Sequence, residues 1–184
     1  MKHVMLPAAV AAFMALGVLP PELASAQATG PAPGGSTKPI TSLTWLVGGV
    51  WTADASKFGN GMQRIETRYR WSDNGSYIRF TTHFVTDKAE LKTYDGHFFW
   101  SPAKKTLELW YMDASNAITE GPVTFDGDLM QVFFRGPDFQ GTVADLRVDV
   151  LRKTNDLYHW SVSEKQGEQW KELGTFDYVR KPDM

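Results

Sequence analysis

The chain has 184 residues, no cysteine and a formal net charge of −2 at pH 7. Without thiols it makes neither disulfides nor thiolate metal sites, so the fold must rest on packing alone. Charges of both signs are scattered with no basic stripe, which argues against nucleic acid as a partner.

The chain opens with Lys2 and His3, followed by a nearly wholly apolar run from Val4 to Leu19. Pro20 and Pro21 interrupt that run, and Ala24-Ser25-Ala26 then offers small residues at the two positions a signal peptidase reads. Residues 1–26 therefore read as a signal peptide cleaved after Ala26, and the mature protein as periplasmic or secreted. A retained spanning helix would need about 20 uninterrupted apolar residues, so no stable membrane insertion is expected after cleavage. Removing 26 of 184 residues leaves 158, the size of one domain. Residues 27–39 are Ala, Thr, Gly, Pro, Ser, Gln and Lys without apolar periodicity, a flexible linker. The domain spans residues 40–184.

Leu43, Leu46 and Val47 are spaced for one or two helical turns ending at Gly48-Gly49. From there the period is two. A first strand opens at Trp51. Ile65, Thr67, Tyr69 and Trp71 alternate with Arg64, Glu66, Arg68 and Arg70 up to a hairpin at Asp73-Asn74-Gly75, where Asn-Gly accepts positive φ at both turn positions. Ile78, Phe80, Thr82 and Phe84 then alternate with Tyr77, Arg79, Thr81 and His83. Further strands are expected over Leu91–Trp100, Thr106–Met112, Leu129–Phe134, Leu146–Arg152, Leu157–Val162 and Trp170–Arg180. Turn chemistry separates them at Ser101-Pro102, Asp126-Gly127-Asp128, Gly136-Pro137, Thr154-Asn155-Asp156 and Gln166-Gly167. About nine or ten strands at hairpin spacing, with no long helix between them, predict an all-β, antiparallel up-and-down meander. Closing it into a β-barrel removes the two sheet edges and leaves room for one small ligand.

Gly49-Val50-Trp51, placed after the helical turn and opening the first strand, resembles the Gly-x-Trp signature of the lipocalins and the wider calycin group. Arg180 on the last strand resembles the closing Arg of those barrels. The resemblance implies that Arg180 packs across Trp51 and closes one end. From Ile40 to Lys181 the chain also resembles a bacterial family of secreted lipocalin-like proteins of unknown function, distantly similar to the haem-binding nitrobindins. Two departures set it apart. The last strand, Leu173 to Tyr178, carries no His, and the first reads Trp51-Thr52-Ala53-Asp54 rather than glycine-rich. Haem is therefore not carried over, His159 reads as a surface or hydrogen-bonded strand His, and no cofactor is expected.

The alternation leaves open which face looks inward. In one reading the lumen is apolar, formed by Ile65, Tyr69, Trp71, Ile78, Phe80, Phe84, Phe98, Trp100, Leu107, Leu109, Tyr111, Val148, Val150, Tyr158 and Trp160. In the other, Glu66, Arg68, Arg79, His83, His97, Glu108, Trp110, Arg147 and Asp149 point inside and pair with one another.

Three functions follow from these alternatives. The first is a carrier that binds a small apolar or aromatic molecule through Trp71, Phe80, Phe99, Trp110, Met112 and Arg68. The second is a cofactor-independent lyase, isomerase or hydrolase with His83 or His97 as general base, Glu66 as the carboxylate beside it, and Arg79 or Arg68 stabilising an oxyanion. The third is a filled barrel acting as an interaction module, with homodimerisation left open. No metal is expected, because no short ligand spacing joins His83, His97, Glu66 and Glu108. No Gly-x-Ser-x-Gly elbow, phosphate loop or dinucleotide fingerprint is present.

Overall fold

In the computed structural model, which describes residues 39–59, 61–137 and 142–183, ten strands close on themselves. The expected signal peptide, residues 1–26, and nearly all of the expected linker, residues 27–39, lie outside the described residues. The strands are β1 (Val50–Asp54), β2 (Met62–Trp71), β3 (Tyr77–Thr86), β4 (Glu90–Ser101) and β5 (Thr106–Asp113), followed by β6 (Ile118–Asp126), β7 (Leu129–Pro137), β8 (Val143–Arg152), β9 (Leu157–Gln166) and β10 (Gln169–Lys181). Each pairs antiparallel with its sequence neighbours, and β1 joins β10 through Trp51 opposite Arg180. No edge is left unpaired, which is how an up-and-down meander avoids exposing ladder groups.

The helical turn forms as a 3₁₀ segment, Ile40–Leu46, and a second one, Ser56–Phe58, links β1 to β2. Gly48 and Gly49 follow the first segment with φ of 89° and 67°. That left-handed backbone is open to glycine without penalty and swings the chain from the turn into β1.

Three sequence expectations need correction. Strand β6 was not expected, because Gly121-Pro122 interrupts its pattern. The structure shows why both belong there: a Cβ at position 121 would strike the Phe133 carbonyl oxygen of the neighbouring β7, and Gly121 and Pro122 pair with Leu109 and Glu108 of β5. Gly136-Pro137 is not a turn but the end of β7, opposite Ala144 and Val143. At the β2–β3 hairpin only Gly75 has positive φ, 68°. Asn74 acts there through its side chain, whose Oδ1 accepts from Ser72 Oγ (2.8 Å), Ser76 N (3.1 Å) and Ser76 Oγ (2.6 Å).

Register and burial decide the faces. Along β2 and β3, Thr67 faces Thr82, Tyr69 faces Phe80 and Trp71 faces Ile78, and these positions join the core. The same parity runs through Phe98, Leu109, Val123, Val132, Val148, Val162 and Gly174 around the wall. The apolar-lumen alternative is the one the structure adopts.

Candidate functional site

One end of the barrel is sealed. The 3₁₀ segment Ile40–Leu46 crosses it and reaches β4, burying Leu43 and Leu46 completely. Trp51 lies against it, its Nε1 donating to the Leu46 carbonyl at 2.7 Å. The Arg180 guanidinium sits 4.6 Å from the Trp51 ring centre and donates to the carbonyls of Val47 (3.1 Å), Asn155 (2.8 Å) and Trp45. A cation over an aromatic face contributes about 1 kcal/mol, and the three carbonyls tie the seal to the β8–β9 hairpin. Trp45 and Tyr158 meet the Trp51 ring at centroid distances of 5.8 and 4.7 Å.

The opposite end behaves differently. Ile78, Leu107 and Val123, near the seal, expose nothing. The inward Phe84, Tyr94, Tyr111, Val148, Trp160 and Phe176, in the middle and open half, keep part of their surface accessible, as does Tyr69 nearer the seal. Inside a closed wall of strands such surface faces a space within the barrel or its mouth.

The polar groups inside are hydroxyls. Thr67 and Thr82 share a hydrogen bond at 3.0 Å, and the phenols of Tyr178, Tyr69 and Tyr111 neighbour the hydroxyls of Thr67, Tyr158 and Thr119. Burial pushes the pKa of Tyr69 and of Tyr111 up to about 12 and raises those of Tyr94, Tyr158 and Tyr178 further. These five phenols are therefore neutral at any physiological pH. Tyr158 and Tyr178 stack at 4.8 Å, and Tyr94 and Tyr111 meet edge-on at 5.3 Å.

The expected catalytic set is outside. Glu66, Arg68, Arg79, His83, His97, Glu108, Trp110, Arg147 and Asp149 all occupy the outward parity. Glu66 is held by Arg64 (2.7 Å) and Arg68 (3.1 Å). His83 pairs with Glu90, and its register partners are Glu66 and Lys92. His97 sits opposite Arg79, four positions along β3 from His83, so the two rings are separated by roughly 13 Å of strand. It stacks on Trp110 at 5.5 Å and meets Tyr77 edge-on at 5.0 Å. Burial holds its pKa below the ordinary value, Asp95 opposing and Arg79 assisting. Glu108 is almost fully buried beneath Lys104, 3.3 Å away, and burial raises its pKa. His159 bonds Asp177 and Thr175, each at 2.8 Å, on the outer face of β9 and β10. Among the described residues no histidine faces the lumen.

Of the expected ligand-binding residues, Trp71 and Phe80 face inward, whereas Arg68, Phe99, Trp110 and Met112 lie on the outer face. Tyr94, Tyr178, Phe134, Phe176 and the three threonines were not anticipated. Parity could have found them: Tyr94 shares the alternation of Phe98, and Tyr178 that of Arg180.

No protein-family model matches the chain, and no curated protein does. Among solved structures, the chain is similar to Rv2717c from M. tuberculosis at 13% identity and a TM-score of 0.49, over 79% of this chain and 99% of that one.

Proposed function

We propose that this protein is a periplasmic or secreted lipocalin-like carrier that binds a small apolar or aromatic molecule inside its barrel. The observation that supports this reading is the contrast in exposure between inward side chains at the two ends. A sealed floor and a partly accessible, aromatic-rich upper half make a concave site lined by apolar surface with a few polar groups, the usual character of a small-molecule pocket. Among the described residues His83 and His97, the bases the enzyme alternative names, stand on the outer face.

The test is native mass spectrometry and ultraviolet–visible absorption of mature protein purified from periplasm, followed by titration with the neutral apolar dye Nile red. We expect a chain beginning at Gln27, with either a retained small molecule or saturable Nile red binding. A bare apo mass that takes up no dye would overturn the carrier reading.

A further inference from the structure

We infer that the guest is an uncharged, flat aromatic molecule bearing a hydrogen-bond acceptor such as a carbonyl, seated between two aromatic walls with the acceptor toward the tyrosine hydroxyls. This rests on the small-molecule reading above and names the ligand class for the same site.

The walls come from topology. In a closed ring of ten strands, those half a ring apart face each other, so β4 faces β9 and β5 faces β10. On one side Phe84, Tyr94, Tyr111 and Phe134 form an edge-to-face series, with centroids 6.1, 5.3 and 6.3 Å apart and interplanar angles of 80°, 84° and 88°. On the other, Phe58 stacks on Phe176 at 4.9 Å and 26°, and Phe176 meets Trp160 at 5.7 Å and 48°. A planar guest between them can stack on one wall and meet the other by its edge, the two arrangements aromatic rings prefer.

Charge is kept away from that space. Among the described residues, the charged side chains at inward register positions stand toward the strand ends: Asp113, Arg152, Glu164, Lys171 and Arg180. The Asp113 carboxylate is occupied by Ser115 and Ala117 of its own turn, Glu164 accepts from Gln166, and Arg152 and Arg180 lie over Trp45 and Trp51 at the sealed end. An anionic guest would lose its hydration between the aromatic walls, where among the described residues no cation stands; Lys171 lies exposed beside the β9–β10 hairpin.

Proton counting selects the acceptor. A hydroxyl carries one proton to donate and two lone pairs to accept. A row of n hydroxyls makes n−1 bonds within itself and keeps one proton over. Thr82 and Thr67 form one such row at 3.0 Å, and Tyr178 beside Thr67, Tyr69 beside Tyr158 and Tyr111 beside Thr119 are neighbouring hydroxyls that can share at most one proton per pair in the same way. Each retains one O–H, and an unmet buried donor is costlier than an unused second lone pair. A guest carbonyl reaching these rows supplies the acceptor they lack.

The experiment measures dissociation constants of three probes sharing one ring system, by quenching of tryptophan fluorescence: 2-acetylnaphthalene, neutral with a carbonyl; 2-ethylnaphthalene, neutral without one; and 2-naphthoate, anionic. We expect the acetyl probe to bind about ten-fold tighter than the ethyl probe, the size of one hydrogen bond, and naphthoate to bind weakest. Tyr111→Phe with Tyr178→Phe removes two of the phenol O–H groups beside the walls and should lower the acetyl-to-ethyl ratio several-fold. Naphthoate binding as tightly as the acetyl probe, or an unchanged ratio in the double variant, overturns the inference. If the ethyl probe binds and the acetyl probe shows no advantage, the inference fails while the carrier reading stands. If none of the three binds while Nile red does, the inference fails and the carrier reading stands; if Nile red does not bind either, both fail.

Discussion

The two ends of the barrel use the same aromatic vocabulary to opposite effect. At the sealed end Trp45, Trp51 and Tyr158 contact one another under Arg180, and Ile78, Leu107 and Val123 beside them expose no surface. At the open end Phe84, Tyr94, Tyr111, Trp160 and Phe176 are also ring against ring, yet each keeps some surface accessible. The difference lies in what crosses the barrel. One end has a 3₁₀ segment inserting Leu43 and Leu46, whereas the second 3₁₀ segment, Ser56–Phe58, brings Phe58 only against Phe176 on the wall. Packing is complete at one end and incomplete at the other, the half in which a guest is proposed.

That comparison can be broken in several ways. The largest effect is expected in alkali, where the neutral phenols of the lumen matter. Their folded pKa values stand above that of an exposed tyrosine, so the stability they contribute is complete below about pH 10 and is lost as pH rises through the folded values. Circular dichroism and tyrosinate absorbance followed together should show the phenols ionising only as the barrel unfolds. Ionisation of Tyr69 or Tyr111 near pH 10 with the fold intact would contradict the closed-wall description.

Next comes the seal itself. Trp51→Ala removes a fully buried ring, the Nε1 bond to Leu46 and the platform under Arg180, and should cost about 3–5 kcal/mol in urea unfolding. At the open end Phe176→Ala should cost less, about 1–2 kcal/mol, because part of its surface is already accessible, while Nile red affinity falls several-fold. Equal stability losses at the two positions would erase the contrast between the ends.

The outer face should respond more weakly still. Asp95 is held by Arg79 (2.8 and 3.1 Å) and Lys92 (2.6 Å), which lower its pKa from 3.8 to about 2. A carboxylate with a depressed folded pKa stabilises above its unfolded value and loses that contribution as pH falls. Asp95→Asn should therefore cost about 1 kcal/mol at pH 6 after solvent screening, with the gap to wild type closing between about pH 4 and pH 2. Smallest of all, His97→Ala should shift stability by about 0.5 kcal/mol or less and leave Nile red binding unchanged. Loss of dye binding in that variant would return the outer face to the list of candidate sites.

Much of this fold was legible in the chain. Alternation at period two, turn residues at hairpin spacing and the absence of a long helical pattern led to an antiparallel barrel, and five of the six turn signals fall at connections between strands. Strand β6 escaped because Gly121 and Pro122 obey a constraint set by its neighbours: the close approach of the Phe133 carbonyl is invisible from local sequence. The site was less legible. Trp71 and Phe80 were correctly expected inside, but Arg68, Phe99, Trp110 and Met112 were not distinguishable from inward residues by type.

The reason is symmetry. A strand such as Glu90–Ser101 carries Tyr94, Phe98 and Trp100 on one parity and His97 and Phe99 on the other, so local chemistry assigns neither face to the core. By itself the sequence determined nine of the ten strands and their order, since these depend on periodicity and turn chemistry read within short windows, while the Trp51–Arg180 pair came from the resemblance to the lipocalin signature. Only the tertiary structure decided which parity is buried and that the titratable groups stand outside. That choice belongs to the closed wall as a whole: once one register is fixed, pairing carries the same parity around all ten strands.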